Sequence, residues 1–267
     1  MEERSKGIAL VLIGMILYGL EPVIISYNPV NPISFAFFSA LFASLLLIPF
    51  ANFEEVRVEW KRGVLIGFFG TFLAYLSYSF GVRMSTSVNA ALITRTEVLF
   101  SFLLSYILLK ESITRRRVGY SALVVIGVIL VITQGKRVSL NPGDGLLLLV
   151  PLFWQLGHVI AKRTRGSPQT IAFLRNSFGT LFLFLPSLFT GMSFTFYSVL
   201  EGMIIAFGQL IWYSAIKRID LSLATAIITP APAVAIGIAL LTGTPVTLWH
   251  VAGFVLITLG TLGLTKA

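Results

Sequence analysis

The chain of 267 residues has no cysteine, which excludes disulfides, thiolate metal sites and cysteine nucleophiles together. Its two histidines, His158 and His250, are too few for most zinc sites. Charge is scarce as well: 12% of the residues, against roughly a quarter in a soluble domain. With 56% apolar residues and a mean hydropathy of +0.90, the chain cannot surround one core with a water-facing surface. A soluble enzyme is excluded. Acidic residues are the scarcest charge, 11 against 20 Lys and Arg, leaving a net +9. Such an excess suits nucleic acid when clustered, and cytoplasmic loops when dispersed between membrane spans.

What is abundant is apolar sequence in runs near the 20 residues that a membrane helix needs. Ten such windows are read, at 7–26, 33–51, 63–82, 87–109, 118–135, 144–161, 168–189, 195–215, 221–241 and 248–265. The breaks between them carry loop chemistry: Asn28-Pro29, Asn31-Pro32, Lys110-Glu111, Arg115 to Arg117, and Asn141-Pro142-Gly143-Asp144. The longest polar insertion, 52–62, reads as a loop. The runs are continuous and not alternating, which excludes a membrane β-barrel. The first window outlasts a signal-peptide core, and Glu21-Pro22 stands where a cleavage site would need small residues, so it reads as a retained helix.

Lys and Arg divide unevenly between the two sets of alternate loops, fifteen against three, with Arg95 and Arg175 inside spans. That asymmetry predicts a multi-pass protein of the cell membrane with both termini in the cytoplasm. Dispersal over many short loops also removes the case for nucleic-acid binding.

The two halves repeat. Gly7 to Gly19 aligns with Gly145 to Gly157, and Gly70-Thr71 with Tyr75 aligns with Gly208-Gln209 and Tyr213. Thr96-Glu97, Thr114 and Gly127 align with Thr229-Pro230, Thr247 and Gly260. Five spans per half, an odd number, set the halves in opposite orientations, an architecture of secondary carriers. The expected fold is therefore an all-α integral membrane protein: ten transmembrane helices in two inverted five-helix repeats, 1–137 and 138–267.

The stretch Thr94-Arg95-Thr96-Glu97-Val98, the apolar run after it, then Leu109-Lys110-Glu111-Ser112-Ile113-Thr114 and the Gly119 to Ile132 helix, resembles the repeat signature of the drug/metabolite transporter superfamily, EamA type. Thr229-Pro230 through Gly243-Thr244-Pro245-Val246-Thr247 to Gly260 resembles a degenerate second copy. The first copy has Glu97-Val98 where the family often has Glu-Pro, and Thr244 replaces the turn acid in the second. The resemblance implies an α-helical carrier of small metabolites, similar to exporters of amino acids, nucleobases, nucleosides or related solutes, often with proton coupling or simple exchange.

Ionisable groups inside the bilayer are costly and are the first functional candidates. Counting ~1.5 Å per residue, Glu97 lies roughly 15 Å into the fourth span, Arg95 about 12 Å, Arg175 about 11 Å into the seventh and Glu21 about 21 Å into the first. These four sum to zero charge, so pairing that merely holds helices in register competes with solute binding. Arg95 and Glu97, two apart, point away from each other and are not a pair. Glu97 shares a face with Thr94 and Ser101. Thr71, Gln209, Trp154 and Gln155 fall near the midplane, and Tyr78 continues the face of Thr71 and Tyr75. Glu201, His158 and His250 read as interfacial. Pro151, Pro186, Pro230 and Pro232 interrupt spans six, seven and nine and suit broken helices around a site, though proline is also common in membrane helices without function, while Gly63 and Gly67 make a packing face.

Arg175, Arg95, Asn176, Thr71, Gln209, Tyr78, Trp154 and Gln155 are thus expected to bind substrate, with Glu97 and Glu21 carrying protons. Asn176 adds neutral donors beside Arg175, and Gly179 leaves room there. The expected function is export of a small zwitterionic metabolite, an amino acid above all, by alternating access. The alternative is a proton-coupled exporter of lipophilic cations, which has no use for the arginines. No nucleophile–base pair, metal cluster or phosphate loop is found, so neither an enzyme nor a cofactor is expected. The partners are a small-molecule solute, the lipid bilayer and protons, around a monomer or homodimer.

Overall fold

The structure, a computed structural model, describes residues 2–26, 28–84, 93–94, 96–133, 135, 142–228, 230–231 and 247–266. Helix α1 is Glu2–Ser26, and α2, Pro32–Leu47, is prolonged by a 3-10 turn, Ile48–Phe50. Helix α3, Phe53–Gly67, passes through a π-helical stretch, Phe68–Leu73, into α4, Ala74–Arg83. Helix α5, Glu97–Leu104, ends in a second π-helical stretch, Ser105–Leu109, before α6, Arg115–Thr133. The second half holds α7 (Asp144–Arg163), α8 (Pro168–Phe189), α9 (Phe196–Ile216), α10 (Leu221–Ile228) and α11 (Leu248–Lys266). Helix occupies at least part of all ten expected windows, and no strand occurs among the described residues.

Four of these segments, Pro32–Phe50, Asp144–Arg163, Pro168–Phe189 and Phe196–Ile216, are long and apolar enough to cross a membrane by themselves. Helix α8 shows how the bilayer is met. One face buries Leu174, Arg175, Asn176, Gly179 and Leu183, while Leu181, Leu185 and Phe189 lie bare on the other. In water such a surface would be a liability; in lipid it is the solvent-matched face. The chain is an α-helical integral membrane protein.

Turn chemistry starts the helices. Asn31 accepts from Ser34 N ahead of Pro32, and Ser167 accepts from Thr170 N ahead of Pro168. The segment 52–62 is not the expected loop. Asn52 caps α3 by accepting from the amides of Glu54 and Glu55, and acidic residues fill the first turn, so the third helix starts well before its apolar part. The expected breaks in spans six and seven are also absent. Helices α7 and α8 run unbroken through Pro151 and Pro186.

Helix directions follow from the contacts. Gly127 packs against Gly253 and Ile257, and Gly260 against Tyr120 and Val124, so α6 and α11 run antiparallel. Arg117 pairs with Asp220, Gly7 meets Ile219, and Arg218 pairs with Glu3. The start of α1, the start of α6 and the end of α11 therefore share one face of the bundle. Glu55 and Glu59, at the start of α3, accept from the amides of Ser167 and Arg165 on that same face. At the opposite face the end of α4 meets the start of α7, where Gly143 N donates to Met84 O. The first helix of each half thus runs in the opposite direction to its counterpart.

Candidate functional site

A cavity of about 110 Å³ lies inside the bundle. Its wall takes Tyr18 and Glu21 from α1, Tyr75 from α4, Glu97 from α5, Trp154 and His158 from α7, and Arg175 from α8. Ile205, Gln209 and Trp212 of α9 close one side, with Ile228 and Ala231 at the end of α10. For scale, a cavity of about 150 Å³ holds benzene.

In the fourth and ninth windows a turn stands beside the described helix at this cavity, in corresponding places. In the fourth, Thr96 forms a turn and α5 begins at Glu97. In the ninth, α10 ends at Ile228 and Pro230–Ala231 form a turn. Thr96-Glu97 and Thr229-Pro230 are the aligned dipeptides of the two halves, and matched interruptions of this kind mark the binding site of inverted-repeat carriers. Opening a helix also gives Glu97 the positive end of the α5 dipole.

Arg175 is 6% exposed and held on every side by neutral groups. It donates to Gly70 O (2.7 Å), to the Tyr213 hydroxyl (3.0 Å) and to Thr71 Oγ1 (3.3 Å). Gly70 can offer its carbonyl because the π-helical stretch interrupts the ordinary i→i−4 ladder there. Its missing side chain matters too, since a Cβ would stand 3.3 Å from the guanidinium carbon. The fourth neighbour is His158 Nε2, at 3.2 Å from Nη1. A guanidinium has no acceptor, so His158 must accept, which places its proton on Nδ1. Nδ1 has no partner among the described residues, and neither has Nε1 of Trp212, whose ring lies 5.0 Å from that of His158. Arg175 has no carboxylate within ion-pair distance among the described residues, and the two unpaired donors lie on the same side of the cavity.

The expected site residues are divided by the fold. Arg175, Gln209, Trp154, Glu97 and Glu21 come together at the cavity. Thr71 and Asn176 do not line it. Thr71 braces Arg175, and Asn176 donates to Gln209 Oε1 (2.8 Å) and Ala172 O. Tyr78 lies behind the wall, its ring 6.5 Å from that of Trp154. Gln155 is turned elsewhere: it is fully buried and neither amide atom has a partner among the described residues. Arg95 and the His250 side chain lie outside the described residues. Gly179 does not leave room for solute, because Thr71 fills the space; a Cβ there would lie 2.4 Å from Thr71 Cγ2. Gly63 and Gly67 do pack helices, against Leu174 and Phe178. Tyr18, Tyr75 and His158 are wall residues that sequence reasoning did not assign. His158 was read as interfacial, because counting from Lys162 puts it roughly 6 Å deep. The cavity simply reaches that level. Glu201, also read as interfacial, is 1% exposed.

On the face that carries the starts of α1 and α6, Glu111 joins the two halves. It accepts from Lys162 Nζ (2.7 Å), Leu221 N (3.0 Å), Ser222 N (3.3 Å) and Ser222 Oγ (3.1 Å), and so caps α10 from the other repeat. Lys162 also donates to Ile219 O, and Lys217 to Thr164 O.

The whole chain is similar to a solved crystal structure with a TM-score of 0.84 over 98% of each chain, at 16% identity, which shows the fold. It is 28% identical over 256 residues to YyaM of Bacillus subtilis, named an uncharacterized transporter, covering 88% of this chain and 84% of that one. An uncharacterized transporter of Archaeoglobus fulgidus is 26% identical over 70% of this chain and 59% of its own. The model of the EamA-like transporter family matches twice, at residues 5–133 and 141–266, together nearly the full length. Two matched copies spanning nearly the full length make this chain a member of the EamA-like transporter family: a transporter, not an enzyme.

Proposed function

We propose that the protein is a secondary carrier that exports small zwitterionic metabolites, amino acids in particular, across the cell membrane by alternating access between its two repeats. One observation carries this reading: Arg175, a buried cation held by neutral acceptors, shares the cavity with Glu97 and Glu21. A charge buried without an anion is costly, and a solute carboxylate removes that cost. Nδ1–H of His158 and Nε1–H of Trp212 are further donors beside it. The solute's ammonium group then meets Glu97 or Glu21, and the cavity size fits a few heavy atoms. The Lys and Arg asymmetry supports a cytoplasmic position for both termini.

A second reading has its own observation. Four aromatic side chains, Tyr18, Tyr75, Trp154 and Trp212, line the same cavity with two carboxyls, a setting that suits a lipophilic cation exchanged for protons. Counterflow in proteoliposomes separates the two. The first reading expects exchange of neutral amino acids and none of tetraphenylphosphonium. Exchange of the cation alone overturns it in favour of the second.

A further inference from the structure

Glu201 is an acid that solute binding leaves unused. It lies on α9, 1% exposed, and neither carboxyl oxygen accepts from an N–H or hydroxyl donor among the described residues. The ionisable group it faces is Glu21 of α1, itself in the cavity wall. Each of the two stands five residues from the end of its helix on the same side of the bundle, roughly one and a half turns in. Close packing brings them together: Gly208 of α9 admits the Tyr18 ring, and Gly14 of α1 admits Ile211.

The surroundings offer no cation to Glu201 among the described residues. Helix α2, packed on α9, has no ionisable residue, and neither has α10. Helix α4 brings Tyr75, which lies among Glu21, Glu201, Arg175 and Tyr18. Helix α1 adds Tyr18, near which lie Glu97 of α5 and Tyr213 of α9. Helix α8 brings Arg175, whose donors go to Gly70, Thr71 and Tyr213, with His158 of α7 against it. Two ionised carboxylates side by side would repel, and Glu201, being buried, would lack the solvation that it has outside, while Glu21 opens on the cavity. One proton between them removes both penalties, because the O–H of one carboxyl then donates to an oxygen of the other.

We propose that Glu21 and Glu201, one from each repeat, share a proton and form the site where protons are taken up and released during transport. In release, the O–H bond breaks and the proton passes to water on the side to which the cavity is open. In uptake, a proton from water on the other side re-forms that bond after the repeats have rocked. Because each repeat supplies one carboxyl, the rocking changes their separation and hence their hold on the proton. This rests on the carrier architecture and not on the identity of the solute.

The test is infrared difference spectroscopy of the full-length protein in lipid, stepped between about pH 5 and pH 9. A carboxylic-acid C=O band that titrates in this range is expected in the wild type. It should vanish in Glu201→Gln, shift its midpoint by about one unit or more in Glu21→Gln, and persist in Glu97→Gln. In proteoliposomes with a neutral amino-acid mixture, Glu201→Gln should lose the pH-gradient stimulation of uptake at least about tenfold. A band that survives in Glu201→Gln overturns the proposal, as does stimulation by a sodium gradient in place of the pH gradient. If amino acids do not move but the band behaves as described, the substrate reading falls and the proton pair stands.

Discussion

Replacing Glu111 by Ala perturbs a joint between the repeats without touching the cavity. The carboxylate accepts four bonds, two of them from the first amides of α10, and pairs with Lys162, whose side chain is 21% exposed. Losing a helix cap costs about 1 kcal/mol. Losing a charge-assisted bond to a largely buried ammonium costs about 2 kcal/mol, since among the described residues Lys162 keeps only Ile219 O. The sum of about 3 kcal/mol corresponds to a Tm lower by roughly 6–12 °C for a chain of this size. Glu111→Gln retains an acceptor and should lose about half as much. The pH dependence has a definite sign. Burial by itself would raise the Glu111 pKa, but the bonds from Lys162, Leu221 and Ser222 outweigh it and hold the carboxyl below its ordinary 4.5. A folded-state value below the unfolded one means that the contribution is complete above pH 4.5 and is lost as pH falls through the lower value. Thermal unfolding in detergent should therefore show a constant gap between wild type and Glu111→Gln from neutral pH down to that point, narrowing below it. An alanine variant within about 2 °C of wild type would refute the reasoning.

Gly179→Ala places a methyl 2.4 Å from Thr71 Cγ2 and 3.1 Å from its hydroxyl. Overpacking of about 1–3 kcal/mol should displace Thr71 from Arg175 and raise the KM for solute several-fold, with unfolding lowered; an unchanged KM would count against the bracing role. Gln155→Leu removes a fully buried amide with no partner among the described residues. It should leave transport intact and raise Tm by a few degrees, on the order of 1 kcal/mol, and a lowered Tm would mean that the amide is satisfied after all.

Much of this was legible in the sequence. Hydropathy located the spans because lipid demands long apolar runs, and the alignment of Thr96-Glu97 with Thr229-Pro230 pointed to the two places where the chain turns inside the bundle. Arg175 and Glu97 were found because buried charge is rare enough to stand out. Depth along one helix, however, says nothing of which neighbours meet it. His158 and Glu201 lie near helix ends by counting and are set aside on that ground, yet one sits against Arg175 and the other is close enough to Glu21 to feel its charge. Trp154 and Gln155 looked equivalent by position, but adjacent residues point about 100° apart, and only Trp154 reaches the cavity. The amphipathic start of α3 hid because its polar face resembles a loop until Asn52 is seen capping it.

The central claim is that Arg175 receives the anionic end of the solute. Its most direct test is counterflow of a neutral amino acid against its own carboxamide, in wild type and in Arg175→Lys. A lysine keeps the charge but cannot reproduce the fork that reaches Gly70, Thr71 and Tyr213 together. The account predicts that the wild type prefers the amino acid by roughly a hundredfold, as for a desolvated charge pair worth about 3 kcal/mol, and that Arg175→Lys loses most of this preference. Equal exchange of acid and amide by the wild type, or an undiminished preference in Arg175→Lys, would contradict it.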